Sequence, residues 1–348
     1  MRRLARTPVV LLLLALLLVA SALLSTGFGA EQLPPSVVLE VLQAKLTGAA
    51  GSTLGSADAA YETIVWDLRV PRTLLAMVVG AGLALAGAGI QTLVRNPLAD
   101  PYLLGVSSGA SVGAVAVITT GVLGGVWALS VGALLGALVS AVLVFAVALG
   151  QGGLTPLRLV LTGTVLGSAF SAVASYLVFR SADPRAAESV LFWLLGSLGG
   201  AAWDRLPLPA VTVLPLGALL FVMSGWLDAL AAGPETAAAL GIPVRGLRRV
   251  LFAVFAVLVG VLVAVAGSIG FVGLILPHVA RLLVGARHRR VLPVAAVAGA
   301  VFLVWVDVAA RIAVRPVEIP LSVVTGIIGA PVFLLLMGRR RYRYGGAP

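Results

Sequence analysis

The chain has 348 residues, of which 60% are apolar and only 11% are charged, and its mean hydropathy of +1.12 lies far above that of a soluble domain. This composition excludes a water-soluble enzyme or binding module and predicts an all-α, polytopic integral membrane protein. The net charge of +11 follows membrane topology, as described below, so no nucleic-acid partner is expected.

Apolar runs of roughly 20 residues, each long enough to cross a hydrocarbon core of about 30 Å as a helix, recur along the chain. About ten transmembrane helices are predicted, at residues 8–28, 71–94, 104–121, 124–149, 158–180, 206–227, 247–266, 270–286, 291–313 and 320–338. Arg2, Arg3 and Arg6 precede the first run and small residues follow it at 25–30, so a cleavable signal peptide is the alternative to a retained first helix.

Basic residues are distributed unevenly over the predicted loops. With a cytoplasmic N-terminus, about two thirds of the 24 basic residues fall on the cytoplasmic side, which predicts that both termini are cytoplasmic. A single membrane domain over residues 1–348 is expected, because no loop is large enough to fold alone. The external loop 29–70 contains a predicted amphipathic helix, SVVLEVLQAKL, and the external segment 181–205 is predicted to lie as a short helix against the outer mouth.

A polar break, RNPLADPYLLGVSSGA at residues 95–110, separates two apolar runs. Pro97 and Pro101 lack backbone N–H groups and are predicted to end the second helix. The carbonyl groups that lose their partners must face protein or water, which is typical of the mouth of a pathway.

Helix start and stop signals are strongest in the predicted cytoplasmic segment 227–246. Gly233, Pro234 and Glu235 form a helix start, and Gly241 forms a left-handed stop. A helix of about two turns is therefore predicted after a short helical piece at 227–232. Spacing alone leaves two interpretations, a solvated surface helix or a docking element for a cytoplasmic protein.

The chain lacks the residues of an energy-coupling site. Its single lysine, Lys45, is followed by leucine, so a phosphate-binding loop of the form GxxxxGK[ST] is absent. Asp307 is the one ionisable residue clearly inside a predicted span, and Arg311, one helical turn later, is expected to pair with it; a proton relay is the alternative. An ion-coupled secondary transporter therefore fits poorly, as does a membrane-embedded enzyme, which would need clustered catalytic groups.

Metal and cofactor sites are not expected in this chain. It contains no cysteine, and its two histidines, His278 and His288, are too few for a metal cage.

Small and hydroxyl residues recur at helical spacing. Glycines four residues apart, such as Gly109 with Gly113 and Gly132 with Gly136, predict close helix packing. Ser168, Ser171 and Ser175 share one face of the fifth span and are predicted to line a pathway, with a buried interhelical hydrogen bond as the alternative.

Several long stretches resemble the iron-chelate and cobalamin uptake permeases, the FecCD-type membrane subunits of type II ABC importers. These stretches are residues 68–110, ETAAALG at 235–241, AGSIGFVGLILPHVARLLVG at 266–285, VDVAARI at 306–312 and EIPLSVVTGIIGAPVFLLLM at 318–337. The resemblance covers almost the whole chain. It implies a permease of the bacterial cytoplasmic (inner) membrane that pairs with a second permease subunit, identical or paralogous. It also implies two cytoplasmic ABC ATPase subunits, which carry ATP and magnesium, and an extracytoplasmic substrate-binding protein.

The resemblance also assigns roles to individual residues. Those matching the cytoplasmic gate are Asn96, Leu98, Thr155 and Pro156. Those matching the coupling helices that contact the ATPase are Leu230, Gly233, Pro234, Glu235, Thr236, Ala239, Leu240 and Gly241. Those matching arginines that bind acidic side chains of the binding protein are Arg69, Arg72 and Arg311, for which ordinary interfacial anchoring is the alternative.

The expected cargo is a metal chelate, most often a ferric siderophore in such a family, with haem and cobalamin as alternatives. No residue decides among them, because the lining positions are small and generic. The chain itself is expected to be a translocation subunit without enzymatic activity.

Overall fold

A computed structural model describes residues 6–29, 31–47, 56–125, 127–181, 183 and 185–338. Across these ranges the chain is helical, and the only β-type contact is an isolated bridge between Val314 and Val317. The predicted all-α fold is therefore confirmed. The arginines at the two chain ends, on which part of the topology prediction depends, lie outside the described residues or have side chains outside them.

The described helices follow one another along the chain with short connections. They are α1 (Arg6–Ser25), α2 (Pro35–Thr47), α3 (Ser56–Glu62), α4 (Val70–Leu93), α5 (Val106–Thr120), α6 (Ala128–Gly150), α7 (Pro156–Arg180), α8 (Ala186–Leu194), α9 (Pro207–Val222), α10 (Ser224–Ala232), α11 (Pro234–Ala239), α12 (Val244–Ala266), α13 (Val272–Val284), α14 (His288–Ile312) and α15 (Leu321–Gly338). A π-helical turn, Thr63–Arg69, joins α3 to α4, and 3-10 turns at Pro101–Leu104 and Trp203–Arg205 precede α5 and α9.

Within the described residues, seven helical stretches are long and apolar enough to cross a membrane. They contain α1, α4, α6, α7, α9, α12 and α14. Three shorter apolar helices, α5, α13 and α15, accompany them. Each of these helices falls in one of the predicted spans, so the chain is a multi-pass helical membrane protein.

Two predicted spans differ from the structure in extent. A crossing is predicted at 270–286, but α13 has 13 residues and a length of only about 20 Å. Gly267 and Phe271 take positive φ values of 69° and 67°, which keeps the preceding segment out of the helix. The predicted span 206–227 breaks at Met223, whose ψ of 5° ends α9 one residue before α10 begins.

Helix α4 lies at the centre of the bundle, and α14, α13, α12 and α9 pack around it. Glycines allow these close contacts. Gly80 meets the backbone of Gly299 on α14, and Gly87 meets the backbone of Gly273 on α13, so an added Cβ at either position of α4 would overlap a carbonyl group. Small residues thus bring the helices together where lipid offers no hydrophobic driving force.

A second closely packed pair is formed by α5 and α6. Gly109 and Gly113 of α5 lie against the backbone of Gly136 and Gly132 of α6, which confirms the packing predicted from their spacing. Ser140 of α6 adds a hydrogen bond of 2.8 Å from its hydroxyl to the carbonyl of Gly105. Helix α7 packs against both helices of this pair.

Candidate functional site

Helices α10 and α11 form one end of the bundle, here called the α11 end. Gly233, with φ 138°, separates the two helices, Pro234 occupies the first turn of α11, and Gly241, with φ 77°, follows it in the left-handed region. The helix start and stop predicted from these residues are confirmed. The sequence therefore encodes this short helix locally, through backbone preferences.

Helix α11 has one buried face and one exposed face. Leu230 and Ala237 are fully buried against the bundle. Glu235, Thr236, Ala239 and Gly241 are exposed, and Leu240 is 69% exposed. The anchored helix thus exposes the acidic Glu235, and the apolar Leu240 is exposed directly after it.

A hydrogen-bonded link joins α10 to the ends of two long helices. Asp228 Oδ1 of α10 accepts from the backbone N–H of His288 at 2.8 Å and lies 2.6 Å from its Nδ1. His288 Nε2 lies 2.7 Å from Thr92 Oγ1 in the last turn of α4. Burial opposes ionisation of the Asp228 carboxyl, but the hydrogen bonds from His288 hold its pKa below the usual range. A displacement of α10 would therefore be transmitted through these hydrogen bonds to both α4 and α14.

The turn after α4 contains the first pair of predicted gate residues. Helix α4 ends at Leu93, and Arg95 then takes a left-handed φ of 52°. The Asn96 side chain accepts from the N–H of Leu98 at 2.9 Å, and both residues are exposed. The predicted helix end is confirmed, but the left-handed Arg95, which the sequence did not reveal, reverses the chain before Pro97.

The second pair of predicted gate residues begins α7. Thr155 has an extended backbone and its hydroxyl accepts from the N–H of Arg158 at 3.4 Å, while Pro156 occupies the first helical position. This segment lies at the α11 end, because Thr155 shares a cavity with residues in the first turns of α12. Arg95 and Arg248 of α12 are close enough to repel each other electrostatically, so the two gate segments lie on the same side of the bundle.

A polar stripe runs along the exposed face of α7. Thr164, Ser168, Ser171 and Ser175 are all exposed, although α7 is long and apolar enough to cross a membrane. The hydroxyl of Ser168 donates to the carbonyl of Thr164 at 3.0 Å, within its own helix. The three serines share one face of α7, as their spacing predicts, and among the described residues the Ser168 hydroxyl bonds only to its own helix. Their role in lining a pathway stays a prediction.

A cavity of about 530 Å³ lies beside this stripe. Thr164, Ser168 and Ser171 line it together with Ser108 of α5 and Asp100, whereas Ser175 lies outside it. Burial raises the pKa of the Asp100 carboxyl to about 6, although the N–H of Tyr102 donates to it at 2.8 Å. The cavity wall therefore carries four small hydroxyl groups and one carboxyl, set among glycines, Leu103 and Tyr102.

The opposite end of the bundle, called the Arg72 end, contains a buried ion-pair cluster. Arg72 donates from Nε to Asp307 Oδ1 at 2.9 Å and from its two terminal nitrogens to Glu318 at 2.8 and 2.9 Å. Arg311 Nε lies 3.0 Å from Asp307 Oδ2, which confirms the pair predicted from their spacing. Burial opposes ionisation of Glu318, but Arg72 and Arg311 hold the pKa of this carboxyl below its usual range.

Arg69 and Arg311 also hold the end of α1. Arg69 donates to the carbonyl groups of Thr26, Gly27 and Glu31 at 2.9, 3.1 and 2.6 Å. Arg311 donates to the carbonyl of Phe28 at 2.7 Å. The three arginines assigned to docking thus lie together, around a cavity of about 360 Å³, but each already has partners within the chain. Their docking role stays a prediction.

Comparison with known proteins identifies the architecture. The family model described as the FecCD transport family matches residues 16–339. The chain belongs to this family. The resemblance inferred from the sequence is therefore confirmed.

FecCD relatives with named functions match over nearly their full length. The vitamin B12 import system permease protein BtuC of Klebsiella pneumoniae is 39% identical over 95% of this chain and 93% of its own. The Fe(3+)-citrate import system permease protein YfmE of Bacillus subtilis is 36% identical over 97% and 96%. The molybdate import system permease protein MolB of Haemophilus influenzae is 36% identical over 95% of both chains.

A solved structure shows the same fold. It is described as an inward-facing conformation of a metal-chelate type ABC transporter, and it superposes with a TM-score of 0.82 at 34% sequence identity. The match covers 95% of this chain and 99% of the other. The relatives named above thus share one function, that of a permease subunit in an import system, and this FecCD chain resembles them over nearly its full length.

Two parts of the FecCD bundle were missed by sequence reasoning. Glu318 was assigned no role, although it binds Arg72, and the link from Asp228 through His288 to Thr92 was not foreseen. The only local signals were an acidic residue beside the last span and a histidine at a helix start. Neither signal identifies its partners, which lie 60 to 246 positions away.

Proposed function

We propose that this chain is the translocation subunit of an ATP-driven, binding-protein-dependent importer of a metal chelate in the bacterial cytoplasmic membrane. A second permease subunit would complete the conduit, and two cytoplasmic ATPase subunits would hold ATP and magnesium. The chain itself would carry out no catalysis.

The main support for this proposal is the polar stripe on α7, formed by the hydroxyl groups of Thr164, Ser168, Ser171 and Ser175. Hydroxyl groups on the exposed face of a membrane-crossing helix are costly against lipid, so they favour a water-filled path or a protein partner. The stripe borders a cavity whose other wall includes Ser108 and Asp100. If two such subunits formed a conduit, this face would line it, shielded from lipid and in contact with water. Its small hydroxyl groups would bind a bulky cargo weakly, which suits passage.

The coupling element is assigned to α10 and α11. Leu240 and Glu235 would contact the ATPase, and the buried Leu230 would transmit its movement into the bundle. The Asp228–His288–Thr92 link offers a direct connection from α10 to the end of α4, next to Asn96 and Leu98. Closure of the ATPase dimer would thus reach the proposed gate mechanically.

The Arg72 end is assigned to the binding protein. Arg69, Arg72 and Arg311 would present positive charge around an open cavity, and acidic side chains of the binding protein would complement it. Each arginine also has partners within the chain. Acidic side chains of the binding protein would therefore add to these internal interactions and would not replace them.

The cargo proposed first is a ferric siderophore. Cobalamin is the second candidate, because relatives at 39% to 42% identity are named vitamin B12 or cobalamin permeases. Haem is a further alternative from the family resemblance.

Uptake by proteoliposomes tests this function. The chain is reconstituted with its cognate ATPase and binding protein, and the accumulation of a ferric siderophore, cobalamin and haem is measured separately. Uptake of the siderophore is expected only with ATP inside and binding protein outside. Accumulation of cobalamin or haem alone would correct the cargo, whereas uptake driven by an ion gradient without the ATPase would overturn the proposed function.

A further inference from the structure

A basic cavity of about 420 Å³ lies at the α11 end, between the ends of α6 and α12. Three arginines from the first turns of α12, Arg245, Arg248 and Arg249, form one wall. The loop before α7 forms the other wall, with Gly152, Gly153 and Thr155. Leu149 of α6 completes the lining, so two helices and a loop hold this basic pocket in place.

These arginines have no counter-ion in the part of the chain that the structure describes. No carboxylate lines the cavity, and none of the ion pairs there involves Arg245, Arg248 or Arg249. The buried Nε of Arg248 makes no hydrogen bond there. Arg158 lies against Gly152 and Arg95 is close to Arg248, which adds further positive charge. Such a cluster repels itself unless an anion occupies it.

The surface beside the cavity is apolar and exposed. On α12 the exposed stripe passes from Arg249 to Val250, Ala253 and Val257, with Val250 45% and Val257 40% exposed. On α6, Leu149 at the cavity wall is 40% exposed. Both helices are candidate membrane spans, so acyl chains could cover this apolar surface. A phosphate in the cavity could therefore belong to a molecule whose tails lie along α6 and α12.

We propose that this cavity binds the phosphate headgroup of an anionic phospholipid, with its acyl chains against Val250 and Val257. Guanidinium groups suit phosphate oxygens because they donate paired, charge-assisted hydrogen bonds. Basic pockets at the membrane surface are typical sites for anionic lipids. Because Thr155 lines the same cavity, a bound lipid would brace the loop that leads into α7.

Lipid binding to the full-length chain in detergent tests the proposal. The test variant is R245Q/R249Q and the matched control is R289Q/R290Q, which removes the same charge elsewhere at the α11 end. Retained phosphatidylglycerol is counted by native mass spectrometry, and the shift of the unfolding midpoint is titrated with phosphatidylglycerol, phosphatidylcholine or inorganic phosphate. Arg245 and Arg249 are exposed and their loss relieves repulsion, so the lipid-free midpoint of the test variant is expected to be no lower than that of wild type.

Phosphatidylglycerol is expected to stabilise the wild type and the control equally. Its affinity for R245Q/R249Q should be lower by about five-fold for each arginine, or roughly 25-fold together. Equal affinity for test variant and control would overturn the site. An equal shift with inorganic phosphate alone would assign the cavity to a free anion and overturn the lipid assignment. Loss of bound lipid when the ATPase is added would assign the arginines to that protein interface instead.

Discussion

Replacement of Leu240 with Asp is expected to reduce cargo uptake by on the order of 100-fold or more, the effect of losing a central contact in a protein interface. Leu240 directly follows α11 and is 69% exposed, so the fold does not require its side chain. A charge placed there would have to be desolvated against the ATPase. Uptake by proteoliposomes and co-purification of the ATPase measure the two consequences.

The matched control for Leu240→Asp is Leu46→Asp, at the last turn of α2. Leu46 is 78% exposed, so both changes place a carboxylate on a described surface without opening the core. The control is expected to keep normal uptake, and both variants should keep the wild-type unfolding midpoint. Normal uptake by Leu240→Asp, with the ATPase still bound, would remove α11 from the coupling interface.

Replacement of Arg72 with Ala is expected to lower the free energy of unfolding by about 3–5 kcal/mol, as for other broken buried ion pairs. The Arg72 side chain is only 11% exposed and Asp307 is 1% exposed. Without Arg72, Asp307 keeps one cationic partner, Arg311, and Glu318 loses its two hydrogen bonds. Equilibrium unfolding in a detergent mixture measures the loss.

A less deeply buried ion pair in the same chain provides the comparison for Arg72→Ala. Lys45 and Glu62 pair at the surface, with side chains 26% and 27% exposed. Lys45→Ala is expected to cost no more than about 1 kcal/mol. Equal stability of the two alanine variants would mean that the Arg72 cluster does not hold the bundle.

This expected instability changes how docking at the Arg72 end is tested. A charge reversal at Arg72 would weaken binding-protein affinity through misfolding even if no contact existed. Affinity is therefore informative only for variants that keep the wild-type unfolding midpoint. Glu318→Gln suits this purpose, since Glu318 is 36% exposed and its loss leaves Asp307 paired with Arg72.

Features encoded by neighbouring residues could be predicted from the sequence. The pair of Asp307 and Arg311 follows from one helical turn of separation, and the ends of α11 follow from Gly233, Pro234 and Gly241. The common face of the α7 serines follows from helical periodicity alone. In each case the partners share one local backbone geometry, so no tertiary information is needed.

Contacts between distant segments could not be predicted in this way. Arg72 binds Asp307 and Glu318, which are 235 and 246 positions away, and His288 binds Thr92 across 196 positions. Such pairs depend on which helices become neighbours in the bundle. A single sequence contains no signal for that choice when the helices are joined by close glycine contacts of similar kind.

Helix extent was also misjudged where hydropathy and backbone geometry disagree. The predicted eighth span begins at residue 270, but Phe271 takes a left-handed φ that is uncommon for a large side chain and helix α13 begins only at Val272. An average over an apolar window cannot detect this turn. Phe271 packs against Gly329 of α15. Because this contact joins distant segments, the start of α13 could not be predicted from the local sequence.

Water access to α7 tests the proposed conduit most directly. The chain contains no cysteine, so single cysteines can be introduced without removing others. Ser171→Cys lies on the hydroxyl stripe, whereas Val173→Cys lies on nearly the opposite side of α7 and is also exposed, at 46% for Val173. In membranes opened to both sides, a charged, membrane-impermeant maleimide is expected to label Ser171→Cys at least about ten-fold faster, because a thiolate forms in water and not in lipid. Equally slow labelling of both cysteines in the assembled importer would contradict a water-filled path along α7.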